Sequence, residues 1–145
     1  YTNRNPVDAV WLQVAYTWSH FRYTESTSFY GDITGHGLPN SPDHQLTTDV
    51  AWHPVSDLSL GFGTETLSRW YIDAGNATTQ DGYTLWNARA SLSFRLSFAT
   101  GELTVQGRNL TAEKYIAFPE PDPDGNSYQP GPERELFAGV RLTLK

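Results

Sequence analysis

The sequence predicts an all-β protein, an antiparallel meander of about six long strands that crosses a membrane as part of a large β-barrel. Three observations lead to this prediction. Apolar residues recur at every second position, the alternating segments are long, and short and long connections alternate between them. No long segment repeats apolar residues at helical spacing.

The clearest alternation runs through residues 83–98. One face is almost wholly apolar and contains Thr84, Trp86, Ala88, Ala90, Leu92, Phe94, Leu96 and Phe98. The other face carries two arginines and several serines, and residues 133–144 repeat the design with Leu136, Val140 and Leu142 opposite Arg141. Strands are predicted near residues 11–23, 44–53, 57–70, 83–97, 102–110 and 133–144. Several exceed the usual soluble length of about 5–6 residues and suit a tilted strand in a bilayer.

The connections between these strands form two classes. Residues 54–56 and 98–101 are predicted as tight turns. The segments 24–43, 71–82 and 111–132 are long, polar and rich in Gly, Pro, Asn and Asp. Outer-membrane barrels have short periplasmic turns and long outer loops, so the three long segments are predicted as outer loops.

Aromatic residues gather near the ends of the predicted strands. Trp18 and Tyr23 lie at the end of the first strand, Trp70 and Tyr71 at the end of the third, and Trp86 near the start of the fourth. Trp and Tyr favour the two interfaces of a bilayer, which supports a membrane barrel. The alternative is that aromatic residues are simply good strand formers.

Composition excludes several classes of protein. The chain of 145 residues carries Lys+Arg 10 against Asp+Glu 16, a net charge of −6, and has no basic cluster of the kind that nucleic acid binding needs. It contains no Cys, which excludes a disulfide framework and a cysteine nucleophile. It also contains no Met, so we expect a piece of a longer polypeptide.

Four motifs make the chain recognisable. Residues 107–115, Gly-Arg-Asn-Leu-Thr-Ala-Glu-Lys-Tyr, resemble the segment that ends the penultimate barrel strand in TonB-dependent outer-membrane receptors. Residues 130–142 resemble that family's entry into its last strand. The runs 37–44 and 82–87 are similar to two of its strand starts.

This resemblance implies a bacterial outer-membrane barrel of about 22 strands closed around an N-terminal plug. Residues 1–145 would supply the last six strands and three outer loops, without the plug and without the segment that contacts TonB. The implied function is active uptake of a ferric siderophore or another scarce nutrient. No enzymatic activity and no cofactor are expected.

The same resemblance assigns the two faces of the sheet. Trp86, Leu92, Val140 and their apolar companions would meet lipid, and Arg89, Arg95 and Arg141 would face the lumen. The reverse arrangement would place three arginines in hydrocarbon at a cost of about 2–4 kcal/mol each near the midplane.

A ligand site is expected on the outer loops. Family members capture substrate with plug and loop side chains, and aromatic loop residues could stack on a siderophore. The candidates are Phe29, Tyr30, His36, Tyr71, Tyr115, Phe118 and Tyr128. The four histidines lack metal-ligand spacing, and no nucleophile motif or phosphate-binding loop is found, so neither a metal site nor a catalytic residue is predicted.

Two alternatives stay open from the sequence. One is a different outer-membrane barrel or porin. The other is a soluble β-sandwich that binds carbohydrate through Trp and Tyr. Under the barrel prediction, six strands taken alone leave two open edges, so edge-to-edge self-association of the isolated piece is expected.

Overall fold

A computed structural model describes residues 9–25, 27–28, 31–120 and 127–144. Every regular element in these ranges is a β-strand. They are β1 (Ala9–Trp18), β2 (Thr27–Ser28), β3 (Gly31–Asp32), β4 (His44–Val55), β5 (Leu58–Leu67), β6 (Trp70–Tyr71), β7 (Thr79–Gln80), β8 (Tyr83–Arg95), β9 (Ala99–Arg108), β10 (Ile116–Glu120), β11 (Ser127–Pro130) and β12 (Glu135–Leu144). Within these ranges there is no helix that could span a membrane.

The six long strands form one antiparallel sheet in the order β1-β4-β5-β8-β9-β12. Each strand pairs with the next long strand along the chain, so the predicted six-stranded meander is confirmed. Because the strands alternate in direction, the three long connections leave one end of the sheet and the two short turns leave the other. Each long connection contains its own two-stranded hairpin, β2–β3, β6–β7 or β10–β11, which the sequence did not predict.

The first long strand ends at Trp18 rather than near residue 23. Its last ladder pair is Trp18 with His44, and the segment that would pair next contains Pro42. Proline has no N–H to donate, so the regular ladder stops there. Pairing resumes irregularly around an isolated bridge between Arg22 and Gly37, where the Leu38 N–H donates to the Phe21 carbonyl and the Tyr23 N–H to the His36 carbonyl.

The second tight turn lies at residues 96–98, ahead of the predicted 98–101. Gly101 is not a turn residue but the ladder partner of Phe94. A Cβ atom on Gly101 would lie 2.3 Å from the Phe94 ring, so this glycine makes room for the aromatic ring that covers it. The turn itself is closed by the Leu96 N–H, which donates to the Ala99 carbonyl at 2.7 Å.

The ladder register sorts the side chains onto two faces. Directly paired residues point to the same side, and the register aligns Ala51, Gly61, Arg89, Gln106 and Phe137 in one row. By the same alternation Arg95 and Arg141 share this polar face with Arg89. The opposite, apolar face carries Val10, Leu12, Val14, Val50, Phe62, Trp86, Ala88, Ala90, Leu92, Leu103, Val105, Leu136, Val140 and Leu142.

The apolar face is exposed rather than covered. Trp86 is 38% exposed, Leu92 43%, Val140 65% and Leu142 56%. Among the described residues, the largest fully buried side chains are Ile33 and Ile72, and both belong to the long connections. A two-sheet sandwich would seal the apolar face inside, so this geometry contradicts the sandwich alternative.

The polar face contains one bidentate ion pair that reaches across a strand. Arg89 on β8 donates from Nη1 and Nη2 to the two carboxylate oxygens of Asp49 on β4, at 2.8 and 2.7 Å. Strand β5 lies between them and presents Gly61 and Gly63 beneath the pair. A Cβ atom at Gly61 would lie 2.6 Å from Cγ and Nε of Arg89. The two glycines therefore form a gap in β5, the Gly61–Gly63 gap, through which the guanidinium reaches its partner.

Filling this gap should destabilise the sheet. Gly61→Ala is expected to displace Arg89 and cost about 1–3 kcal/mol, as overpacking does elsewhere. The check is the free energy of unfolding of the intact protein in detergent, measured with and without Arg89→Ala. The penalty should shrink when Arg89 is already truncated. An equal penalty in both backgrounds would show that the gap does not serve this ion pair.

Candidate functional site

The polar face forms a groove at the end of the sheet that carries the long connections. One cavity of about 410 Å³ lies between Asp49, Glu65, Arg89, Arg108 and Tyr115. A second cavity of about 440 Å³ continues from it toward Ser91, Thr104 and Gly139, and both are lined by Arg89 and Gln106. The groove therefore presents positive charges, negative charges and hydroxyl groups to whatever lies against this face.

Asn109 fixes the start of the third long connection beside the groove. Its side-chain nitrogen donates to the carbonyls of Glu113 at 2.8 Å and Pro132 at 3.1 Å, and its side-chain oxygen accepts from the Glu113 N–H at 2.8 Å. The residue is 3% exposed, and its φ is 47°. Asn adopts this left-handed backbone more easily than most residues, so one side chain both turns the chain and ties the two ends of the connection together.

Three aromatic rings extend from this point across the top of the polar face. Tyr115 lies on Tyr83 with ring centroids 4.5 Å apart, and Tyr83 meets Trp70 edge-on at 5.8 Å. A Cβ atom at Gly131 would overlap the Tyr115 ring, so the glycine allows the ring to pack here. Burial raises the pKa of the Tyr115 phenol, and the Glu65 and Glu135 carboxylates raise it further. Its hydroxyl therefore stays protonated near neutral pH.

The first two long connections are joined by the side-chain amide of Asn76, which pairs with one backbone residue as a neighbouring strand would. Asn76 accepts the Gly37 N–H at 2.7 Å through its side-chain oxygen and donates to the Gly37 carbonyl at 2.9 Å through its nitrogen. Beside it, the His36 ring nitrogen Nδ1 contacts the Ala74 carbonyl at 3.1 Å, and the Asn40 N–H donates to the Tyr71 carbonyl at 2.8 Å. We call these contacts the Asn76 clamp.

A buried carboxylate holds the clamp residue in place. Asp73 is 2% exposed and accepts the N–H groups of Ala77 at 3.1 Å and Thr78 at 2.7 Å. These bonds close a tight turn in which Asn76 has φ 57°. The turn thus fixes the backbone from which the Asn76 amide reaches the neighbouring connection.

The structure separates the predicted ligand-binding residues into three places. His36 and Tyr71 come together beside the Asn76 clamp, where the Tyr71 ring lies against Gly37. Tyr115 belongs to the groove. Phe118 and Tyr128 lie on the β10–β11 hairpin and are 53% and 47% exposed. Phe29 and Tyr30 lie outside the described residues.

Sequence reasoning missed the residues that build the connections. Asn109 belongs to the motif at residues 107–115, and the sequence predicts no role for Asn76 or Asp73. Asn within a Gly-rich polar segment is a signal for a left-handed turn, which could have marked Asn76. Which backbone its amide would reach depends on a distant part of the chain and leaves no local pattern.

The chemistry on this face suits binding. Among the residues that the structure describes, no three His, Asp or Glu side chains are grouped to hold a metal ion. The groove instead combines opposite charges, hydroxyl groups and an aromatic row. Such a surface has the groups to form many hydrogen bonds with a polar partner.

Comparison with known proteins identifies the fold. A family model described as the TonB dependent receptor-like β-barrel matches residues 3–110, well over half of the chain. The chain belongs to this family. TonB-dependent receptor barrels lie in the bacterial outer membrane, and that is the location of this receptor barrel.

Solved receptor structures carry the same sheet. The ferric preacinetobactin receptor BauA from Acinetobacter baumannii superposes with a TM-score of 0.78 at 24% identity, over 94% of this chain and 20% of that one. The ferric citrate transporter FecA in its unliganded form gives 0.76 at 21%, over 92% and 21%. The siderophore receptor PiuA from Acinetobacter baumannii gives 0.69 at 18%, over 99% and 19%.

The solved structures are much longer than this chain. This chain spans about a fifth of the length of the solved structures it matches. A search of curated protein sequences finds no match to it. At these identities the structural likeness establishes the fold of the receptor barrel and no more.

Removing the Asn109 side chain should loosen the third connection. Asn109→Ala leaves buried backbone partners unpaired, which costs about 1–3 kcal/mol, and also strains a left-handed backbone. Asn109→Gly relieves the backbone strain but restores no hydrogen bond. Limited proteolysis followed by mass spectrometry should show faster cleavage within residues 113–131 for both variants. If Asn109→Gly resists cleavage like the wild type, the hydrogen bonds are not what holds the connection.

Proposed function

We propose that this chain is the C-terminal part of the barrel wall of an outer-membrane receptor that takes up a ferric siderophore or another scarce nutrient. The observation that carries the proposal is the register of the six-stranded sheet, which gives one apolar and one polar face in a member of the TonB-dependent receptor family. The solved relatives include receptors whose names state ferric preacinetobactin and ferric citrate as ligands.

The apolar face contacts lipid in this proposal. Turning it inward would place Arg89, Arg95 and Arg141 in hydrocarbon at about 2–4 kcal/mol each near the midplane. Hydroxyl groups on the apolar face are paired with each other: Thr48 with Thr64 at 2.7 Å, and Thr66 with Thr84 at 3.0 Å. Pairing lowers the cost of placing them in an apolar medium.

The ends of the apolar face suit the outer interface of a bilayer. Tyr16 and His44 share a hydrogen bond of 2.8 Å there, next to Trp18, at the end of the sheet that carries the long connections. Amphipathic rings are enriched at this depth because one end is apolar and the other polar. The long connections then extend outside the cell, and the two turns point into the periplasm.

The polar face lines the lumen and meets the plug domain of the complete receptor. The groove, with charges of both signs, offers hydrogen-bonding partners to such a domain. Energy for uptake comes through TonB, which contacts the N-terminal part of the receptor. The expected ligand contacts on this chain are the loop residues Phe29, Tyr30, His36, Tyr71, Tyr115, Phe118 and Tyr128.

The two outer strands of the sheet join the rest of the barrel. Within the described residues, β1 and β12 each have one neighbouring strand, which leaves a row of free backbone groups on their outer edges. Such edges pair with other strands. In the complete barrel these are neighbouring barrel strands, and in the isolated piece they are the edges of a second copy.

Uptake measurements test the function directly. Cells that express the complete receptor and lack other iron receptors should accumulate radioactive iron from at least one ferric siderophore of a chemically diverse panel. Deletion of TonB should abolish the accumulation, because active uptake needs its energy. Passage of small solutes that persists without TonB would indicate a porin instead.

Cysteine labelling tests the orientation of the connections. These 145 residues contain no native cysteine, so an introduced cysteine is the single labelling site among them. Ala77→Cys lies in a long connection and Ser97→Cys in a short turn, and both positions are exposed. A maleimide that does not cross membranes should label Ala77→Cys in intact cells. It should label Ser97→Cys only after the outer membrane is made permeable. The opposite labelling pattern would mean that the long connections face the periplasm, and it would overturn their assignment as outer loops.

A further inference from the structure

A small pocket between the first two long connections combines an excess of hydrogen-bond donors with few acceptors. It has a volume of about 220 Å³, and the side chains used below are His20, Arg22, Asp43, Arg69, Trp70 and Tyr71. We propose that this pocket binds a carboxylate group of an anionic ferric chelate. The inference rests on the proposed uptake function and names the chemical class of its ligand.

The charges in the pocket favour an anion. Arg22 donates from Nε to the Nε2 nitrogen of His20 at 2.7 Å, and the other ring nitrogen lies 3.3 Å from the Asp43 carboxylate. The pocket holds two guanidinium groups, those of Arg22 and Arg69, against the single carboxylate of Asp43, in a chain whose net charge is −6.

The donors of the pocket are only partly used. Arg22 donates from Nη1 to the Gly35 carbonyl at 2.9 Å, and its Nη2 makes no hydrogen bond within the described residues. Within the same residues the Arg69 guanidinium has no ion pair and the Tyr71 hydroxyl has no hydrogen bond. Planar guanidinium groups match the two oxygens of a carboxylate, and such charge-assisted bonds are stronger than neutral ones.

The Trp70 ring forms part of the pocket wall. The residue is 7% exposed and meets Tyr83 edge-on with ring centroids 5.8 Å apart, so this wall is packed in place before any ligand binds.

The walls of the pocket are held in place without the ligand. The Leu38 N–H donates to the Phe21 carbonyl at 3.1 Å, and the Ser19 hydroxyl donates to the Pro42 carbonyl at 3.1 Å. On the other side, the Asn76 clamp ties the second connection to the first. Because the walls are already ordered, little entropy is lost when a ligand binds.

Equilibrium binding to the complete receptor in detergent tests the site. The probe is propane-1,2,3-tricarboxylate, and its uncharged triamide is the matched control ligand. The tricarboxylate should bind and the triamide should not. Arg69→Gln should weaken tricarboxylate binding by about tenfold or more, the loss expected for one charge-assisted contact. Arg69 makes no side-chain contact that holds the fold, so this variant should unfold like the wild type.

Arg95→Gln provides the control for a simple change of charge. Arg95 lies on the polar face at the opposite end of the sheet, outside the pocket, and its substitution should leave binding unchanged. The proposal is overturned if the tricarboxylate does not bind, if Arg69→Gln binds it like the wild type, or if inorganic phosphate binds and the tricarboxylate does not.

The outcomes separate this site from the proposed function. TonB-dependent iron uptake without tricarboxylate binding would leave the receptor function standing and remove the carboxylate site. Tricarboxylate binding that depends on Arg69, in a receptor without TonB-dependent uptake, would retain the site and remove the transport function.

Discussion

The structure depends on strict alternation of side chains in a paired antiparallel sheet. Each strand pairs in a register that keeps apolar side chains on one face and polar side chains on the other across all six strands. A slip of one residue between neighbouring strands would exchange the faces and place an arginine among apolar neighbours. The register is therefore the constraint on which the apolar face and the polar groove both depend.

The long connections follow a different rule from the sheet. Their order comes from buried side chains and side-chain amides: Ile33 and Ile72 fill small cores, while Asp73, Asn76 and Asn109 bond to backbone groups. Loop backbone without ladder partners needs such groups, since unpaired polar atoms are costly when buried. The connections are thus built as small folded units at the end of the sheet.

The sequence was sufficient for the features that repeat locally. Period-two alternation predicts the two faces and the six strands, because each side chain's direction follows from its position. It was insufficient where distant residues meet. Gly61 and Gly63 look like weak strand formers until Arg89 is seen to pass over them, and Gly101 resembles a turn residue until the Phe94 ring is placed on it. Nor does local sequence show that Asn76 bonds to Gly37 or that Arg69 shares a pocket with Arg22.

The Asn76 clamp makes the three long connections unequal. Its two hydrogen bonds to Gly37, together with the contacts at His36 and Asn40, tie the first connection to the second. The β10–β11 hairpin belongs to the third connection and is anchored at its own base through Asn109 and Gly131. This end of the sheet is consequently asymmetric, with two connections bonded to each other and the third bonded to its own base.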